Sequence, residues 1–373
     1  MRIDPNELGL VRACLANDDD FLSAFRSWEH VSDLDVLNYG AVRLIPYLSR
    51  RLDLHQISTP LKAKLDGIYR YFWAKRRVQE AAMAELLPAF FVGTQAVALK
   101  GLALEKLAYR QGELRPLDDF DALVSRNDYL RLSSNYKQFG FHYGGTLPEE
   151  SSNHISHAKT LKAKNMELDL HWTPFPTSMD PSYESRMIDR ASGTGSELAG
   201  LLVQSPTDCL LQTVIHGNRE NIVSPVRWYL DAFLLIERND IDWGLLWDEA
   251  GKLGLAGQLD RGAQQLNAIS GRELIKKQIA PETPTLLPYH MRVSIARDNS
   301  RHIWQKRLLR LIGSDVSIVA RARALDGLPS GALTSYLSGL RDLLSAIQKV
   351  LATNFLRSEI SNSWAIKRDA DPK

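Results

Sequence analysis

The sequence of 373 residues is long enough for two or three domains, and with 44% hydrophobic and 24% charged residues it is typical of a globular protein. Its 46 basic and 44 acidic residues nearly cancel, which excludes a whole-chain electrostatic field that attracts nucleic acid or an anionic membrane. The two cysteines, Cys14 and Cys209, are far apart and provide neither a disulfide framework nor a cysteine-based zinc site.

The sequence also indicates the cellular compartment. The first 20 residues lack the apolar segment of a signal peptide, and no stretch approaches the roughly 18 uninterrupted apolar residues of a membrane span. We therefore expect a protein of the reducing cytoplasm, without membrane insertion.

Three regions follow one another along the chain. Residues 1–91 repeat apolar residues every three or four positions, which predicts an N-terminal helical region. Residues 92–180 contain the short apolar runs "AVAL", "FDALV", "FHY", "HISHAKTL" and "MELDLHW", with helical spacing after each of the first two. This order predicts a small mixed sheet backed by helices, and residues 181–373 again favour helices. The expected fold class is α+β, with a sheet-containing core flanked by two helical regions.

Two carboxylates stand on either side of a phenylalanine in "DDFDAL". Because successive side chains of a strand point to opposite faces, Asp119 and Asp121 share one face while Phe120 points into the core. Carboxylates about 6 to 7 Å apart in a partly buried cleft need a cation between them to stay ionised. Oxygen ligands of this kind suit Mg²⁺ or Mn²⁺. A solvated strand face or a turn is the alternative interpretation.

A third carboxylate is predicted on a later strand. In "MELDLHW" the apolar residues alternate with Glu167, Asp169 and His171, and Asp169 is central on that polar face. If this strand lies beside the first, Asp119, Asp121 and Asp169 form a two-metal site of the kind used in phosphoryl transfer.

A basic turn precedes these carboxylates. Lys100 and Gly101 follow the run "AVAL" and begin a helix, which places backbone N–H groups and a cation where a phosphate can bind. Arg115 is expected near the same end of the sheet, where it binds a triphosphate oxygen or pairs with Asp118. The alternative for the turn is a plain strand-to-helix connection with a solvated lysine.

The motifs "LKG", "LRPLDDFDALV" and "ELDLHW", in this order, resemble the nucleotidyltransferase superfamily that shares the DNA polymerase β fold. They are most similar to an uncharacterised bacterial branch in which Leu-Lys-Gly, Arg-Pro-x-x-Asp-h-Asp and [Asp/Glu]-Leu-His-Trp recur, h being hydrophobic. The resemblance extends over roughly residues 80 to 260. It implies a polymerase β-like core, with Lys100 and Gly101 at the triphosphate turn, Asp119 and Asp121 as the metal-binding pair and Asp169 as the third carboxylate.

Four histidines are further candidates for site residues. His154, His157 and His171 have no cysteine partner and no zinc-finger spacing, so a structural zinc site is disfavoured. His157 and His171 either line the acceptor or nucleotide pocket or form local hydrogen bonds within strands. His216, in "VIHGNRE", either contacts a base or ribose or caps the end of its own helix.

One stretch is strongly basic. Residues 292–323 hold eight Arg or Lys against Asp298 and Asp315. A solvated helix face is the ordinary explanation, and a seat for a polyanionic acceptor such as RNA is the alternative.

The sequence therefore predicts a Mg²⁺-dependent nucleotidyltransferase that uses an NTP. Asp119 and Asp121 hold the metals, Lys100 and Arg115 neutralise developing charge, and Asp169 orients or deprotonates an acceptor hydroxyl. The acceptor is a small molecule, a peptide or RNA. Two rivals are phosphoryl transfer from the same metal site and a binding protein that keeps the fold without catalysis.

Overall fold

A computed structural model describes residues 3–145, 157–175, 180, 182–193, 201–218 and 226–276. The contacts divide the chain into two compact units, and every described residue belongs to the first. No helix in these ranges is long and apolar enough to cross a membrane. The basic stretch 292–323 and His154 lie outside the described residues.

The N-terminal region is helical, as its apolar spacing predicts. Its helices are α1 (Pro5–Leu15), α2 (Asp18–Val31), α3 (Tyr39–Val42), α4 (Ile45–Leu54) and α5 (Lys62–Phe90), with a 3₁₀ turn at Leu34–Val36. Side chains cap several of these helices: Asp4 accepts from the backbone N–H of Asn6, and Asn17 from that of Asp20.

The middle of the chain supplies most of the sheet. Its elements are β1 (Val97–Leu99), α6 (Lys100–Ala108), β2 (Phe120–Leu123), α7 (Arg126–Asn135), a 3₁₀ turn (Tyr136–Phe139), β3 (His142–Tyr143), β4 (Ala158–Ala163) and β5 (Met166–His171). The order strand, helix, strand, helix, strands is the predicted one. The α+β fold class is therefore confirmed.

The rest of the described chain is mainly helical. Its elements are α8 (Tyr183–Arg190), β6 (Ser192–Gly193), β7 (Leu202–Val203), α9 (Pro206–Gly217), α10 (Arg227–Arg238), α11 (Trp243–Lys252) and α12 (Ala256–Ser270). The sequence prediction missed β6 and β7, because two-residue strands carry no periodicity that can be recognised.

The seven strands form one mixed sheet in the order β3-β4-β5-β2-β1-β7-β6. Strand β2 is central: it pairs antiparallel with β1 and parallel with β5. Strand β1 also pairs parallel with β7. The side chains of both β1 and β2 are buried, since helices cover the sheet where these strands lie. The ends of these central strands carry the polar residues described next.

One hydrophobic core runs through all three predicted regions. It includes Phe25 from the N-terminal helices, Phe120 and Leu170 from the sheet, and Leu211 and Leu234 from the later helices. The proposed boundaries after residues 91 and 180 remain predictions.

Candidate active site

The site begins with two neighbouring parallel strands. In the pairing of β2 with β5, Asp121 lies opposite Asp169. Phe120 is 1% exposed and packs in the core. The alternation of the strand thus separates the phenylalanine from the carboxylate that follows it, and the register places two acidic residues side by side.

Asp121 is buried and has two cationic or hydrogen-bonding partners. The Nζ atom of Lys100 contacts its Oδ1 atom, and the Nε2 atom of His171 lies 2.8 Å from the same oxygen. Burial by itself raises the pKa of Asp121, but the charge of Lys100 and the hydrogen bond to His171 outweigh it and hold this pKa well below its usual range. Asp121 is therefore ionised at neutral pH, as a metal ligand must be.

The two acidic residues of the polar face of β5 have different surroundings. Asp169 accepts a hydrogen bond of 2.6 Å from the hydroxyl of Thr160 on β4. Glu167 pairs with Lys162 at 2.9 Å, and both of these side chains are more than a third exposed. Asp169 also lies within reach of Asp121, whereas Glu167 is engaged at the surface.

Three of these side chains are close enough to hold one metal ion. Asp121, Asp169 and His171 can each offer a ligand atom, and the three atoms lie within 4.8 Å of one another. Two carboxylates and an imidazole fit a divalent cation, and the oxygen donors suit Mg²⁺ or Mn²⁺. The residues present therefore fit a metal centre, with His171 in addition to the predicted carboxylates.

Asp119 lies just before β2, outside this group of three. Burial and the negative charges of Asp121 and Asp169 raise the pKa of Asp119 to about 6, and the charge of Lys100 opposes the rise only in part. Asp119 is thus close enough to the other carboxylates to interact with their charges. Its assignment as a metal ligand remains a prediction.

The Lys100–Gly101 turn connects β1 to α6. Lys100 has a φ of +45°, which is uncommon for a residue with a side chain. Its backbone N–H donates to the side-chain oxygen of Gln212, 3.3 Å away. A Cβ atom on Gly101 would lie 2.6 Å from Leu117 Cδ2 and 2.8 Å from Arg115 Nη1. Only glycine fits at this close approach.

Arg115 is engaged with an aspartate of α10. Its Nε and Nη2 atoms donate to the two carboxylate oxygens of Asp231, at 2.9 and 2.8 Å, and both side chains are 4% exposed. The hydroxyl of Tyr109 donates to the same carboxylate at 2.8 Å. Asp118, the partner suggested by the sequence, instead contacts Arg43 and Lys75. The predicted phosphate contact of Arg115 would use Nη1, the atom that lies near Gly101.

A cavity of about 160 Å³ brings most of the predicted residues together. Six of the predicted site residues line it: Lys100, Gly101, Arg115, Asp119, Asp121 and His216. Asp169 and His171 do not line it. His171 is 1% exposed, so its predicted nucleotide contact remains a prediction, while its observed contact is with Asp121. The ring of His157 lies 5.2 Å from that of His171.

A second, more open cavity of about 670 Å³ lies next to the first, and Asp118 lines both. Its walls come from the α5 residues Tyr71 and Val78 and from Met166 and Glu167 at the start of β5. Glu167 shares one face of β5 with Asp169, which does not itself line this cavity.

Sequence reasoning missed several residues of the smaller cavity. Arg43, Gln212 and Arg227 also line it. Arg43 comes from the first helical region, and the other two come from α9 and α10. No sequence signal marks them, because each is a single polar residue within an ordinary helical segment.

Comparison with known protein families identifies one family for this chain. The model of the uncharacterised nucleotidyltransferase family matches residues 40–271, which include both cavities and all the predicted site residues. No curated protein matches the chain. The family match covers more than half of the 373 residues. The chain therefore belongs to the family of uncharacterised nucleotidyltransferases.

Proposed function

We propose that this protein transfers a nucleoside monophosphate from an NTP to an acceptor hydroxyl or phosphate and releases pyrophosphate, with Mg²⁺ or Mn²⁺ as the cofactor. The observation that carries the proposal is the register of β2 with β5. It sets Asp121 opposite Asp169 while Lys100, at the start of α6, contacts Asp121 from the neighbouring strand. Carboxylates and a phosphate-binding turn thus meet at one point, as metal-assisted transfer at a phosphorus atom requires.

The carboxylates would hold the metal. Asp121 and Asp169 provide oxygen ligands, His171 lies within reach, and Asp119 is the predicted additional ligand. A bound divalent cation supplies positive charge to the triphosphate and to the oxygen that leaves with pyrophosphate. Thr160 and His171 each bond one carboxylate. They fix the orientation of Asp169 and Asp121 before the substrates arrive.

The turn and the helices of the smaller cavity would hold the nucleotide. Lys100 carries its charge to the metal-binding face, and the glycine beside it lets Arg115 approach the backbone of α6 closely. Arg115 is held in place by Asp231 and adds positive charge to this wall. His216 is exposed and lines the cavity, and we assign to it the contact with the base or ribose.

The acceptor would approach from the side of Asp169. We assign to Asp169 the orientation or deprotonation of the acceptor hydroxyl for in-line attack on the α-phosphorus. The larger cavity beside Asp118 provides room for an acceptor, whether a small molecule, a peptide or the end of an RNA. The cytoplasmic location expected from the sequence remains a prediction.

Nucleotide titration followed by a transfer assay tests the proposal. Calorimetric titration with each NTP in the presence of Mg²⁺ identifies the nucleotide without knowledge of the acceptor. Small-molecule, peptide and RNA fractions are then supplied with that NTP while pyrophosphate release and product mass are measured. A gain of one nucleotide supports the proposal. A gain of one phosphate identifies a kinase instead, and the absence of NTP binding points to a non-catalytic protein.

Three matched variants test the roles of the carboxylates. Asp121→Asn should abolish Mg²⁺-dependent pyrophosphate release while the fold survives, since it removes a charge but keeps the shape. Asp169→Asn should abolish turnover but retain most NTP binding. Glu167→Gln is the control on the same strand and should cost much less. If Asp121→Asn keeps most of the turnover, or if Glu167→Gln is the more damaging change on β5, the assignment is wrong.

A further inference from the structure

The smaller cavity has a group of arginines, of which the proposed function uses only Arg115. Arg43, Arg115 and Arg227 all line it, together with Lys100. Arg43 lies between α3 and α4, Arg115 in the loop before β2, and Arg227 at the first position of α10. Three separate parts of the chain thus each bring one guanidinium group to the same small space.

The first carboxylate among these arginines is shared between two cations. Asp231 is bonded by Arg115 through two nitrogens, and the Nε atom of Arg227 lies 3.8 Å from its Oδ2 atom. The side chain of Arg227 is 18% exposed, and its Nη1 atom donates to the carbonyl of Pro116 at 2.7 Å. The positive charges of Arg115 and Arg227 are therefore only partly balanced, because they share one carboxylate and the carbonyl of Pro116 is neutral.

The second carboxylate is shared in the same way. Asp118 contacts Arg43 and also accepts from Lys75 at 2.7 Å and from the hydroxyl of Tyr39 at 2.7 Å. The Nε atom of Arg43 is buried and has no hydrogen-bond partner among the described residues. Two cations again face one carboxylate, so positive charge is in excess on this side of the cavity as well.

The crowding of positive charge affects Arg227 most. Burial, together with the nearby charges of Arg115 and Arg43, lowers the pKa of Arg227 to about 9. A partly buried arginine beside two others is stabilised by an anion that contacts all three.

Negatively charged residues line the same cavity. Asp119 and Asp121 are among its lining residues, and Lys100 contacts Asp121. Gly101, next to Lys100, lies close to Arg115 Nη1. A ligand in this cavity therefore meets both the arginines and the carboxylates of the proposed metal site.

We infer that Arg43 and Arg227 bind the β- and γ-phosphates of the NTP and then the pyrophosphate product. This inference rests on the proposed function, because it assigns the leaving group of that reaction to a named part of the site. The chemical class of the ligand is a short polyphosphate chain, whose oxygens pair with guanidinium groups in bidentate fashion. A volume of about 160 Å³ is smaller than the roughly 300 to 1,000 Å³ of ordinary ligand sites, which suits the phosphate chain of an NTP whose base or ribose lies outside it, beside the exposed His216.

The test measures binding without any turnover. Inorganic pyrophosphate is titrated calorimetrically into wild type, Arg43→Gln, Arg227→Gln and Arg227→Lys, in EDTA so that no metal contributes. We expect the dissociation constant for pyrophosphate to rise at least tenfold in both glutamine variants and less in Arg227→Lys, which keeps a charge but loses the guanidinium fork. Arg272→Gln is the control, because Arg272 is half-exposed and pairs with Glu237 on the surface. Its affinity for pyrophosphate should equal that of wild type.

Thermal melting of each variant shows whether it is folded. If Arg227→Gln fails to fold, Arg227→Lys and Arg43→Gln still test the inference. Unchanged pyrophosphate affinity in the folded arginine variants overturns the inference, and so does a wild-type protein that does not bind pyrophosphate. If the arginine variants bind pyrophosphate as wild type does while the protein transfers nucleotides, this inference alone has failed. If binding depends on the arginines but no acceptor receives a nucleotide, the polyphosphate site stands and the proposed function has failed.

Discussion

The ionisation of Asp119 should destabilise the metal-free protein, and the substitution Asp119→Asn tests this directly. Burial and the nearby carboxylates raise the pKa of Asp119 from its ordinary value of 3.8 to about 6. The folded protein therefore holds a proton on Asp119 between pH 4 and 6 that the unfolded chain has lost. The free energy of unfolding accordingly falls as the pH rises through this window, and the full cost is present above about pH 6.

The magnitude follows from the pKa values. Each pKa unit corresponds to about 1.4 kcal/mol, so a rise from 3.8 to about 6 costs about 3 kcal/mol of stability at pH 8. Asparagine has nearly the same shape and no charge to desolvate. In EDTA, Asp119→Asn should therefore be more stable than wild type at pH 8, by up to about 3 kcal/mol, and this advantage should shrink towards pH 4.

The assay is thermal melting of wild type and Asp119→Asn in EDTA at several pH values between 4.5 and 8, repeated with Mg²⁺. Mg²⁺ should stabilise wild type more than the variant, since a bound cation compensates the charge that the variant lacks. Glu167→Gln is the matched control, because its carboxylate pairs with Lys162 at the surface. A difference in stability between wild type and Asp119→Asn that does not change with pH would refute the reasoning.

Three further predictions concern the turn and its supports. Lys100→Ala should weaken NTP binding by about 1 to 3 kcal/mol, the range for a lost charge-assisted hydrogen bond, as calorimetry would show; an unchanged dissociation constant contradicts this role. Gly101→Ala should lower the melting temperature, because its Cβ would lie 2.6 Å from Leu117 and overpacking costs about 1 to 3 kcal/mol; a wild-type melt would show that the turn relaxes. Asp231→Asn should cost about 3 to 5 kcal/mol in denaturant unfolding, since it leaves Arg115 buried without its partner. Burial raises the pKa of Asp231, but the charge of Arg115 outweighs burial and leaves this pKa below its usual value. The ion pair therefore stabilises the fold above the usual aspartate range, and this stabilisation is lost as the pH falls through the folded-state pKa. The cost of the substitution should accordingly decrease in acid.

The sequence by itself determined the order of the elements and the identity of the main polar residues. Apolar spacing predicted that residues 1–91 are helical, because burial of one helix face imposes a period that can be recognised locally. Alternation in "DDFDAL" and "MELDLHW" assigned Phe120 and Leu168 to the core, for the same local reason. The Lys-Gly pair after "AVAL" marked the start of α6, since glycine is common at strand-to-helix junctions where the chain turns tightly or other groups approach the backbone closely.

Only the tertiary structure decided which of these residues meet. The register that sets Asp121 opposite Asp169 depends on a pairing across nearly fifty residues of chain, and no local pattern specifies it. Arg115 finds Asp231 rather than Asp118 because α10 packs against α6 and brings a buried carboxylate beside the loop. Arg43 and Arg227 reach the cavity from opposite parts of the sequence. A charged side chain on a helix becomes part of a site only when the packing of that helix turns the side chain towards the cavity. This packing depends on contacts between residues that are distant in the sequence.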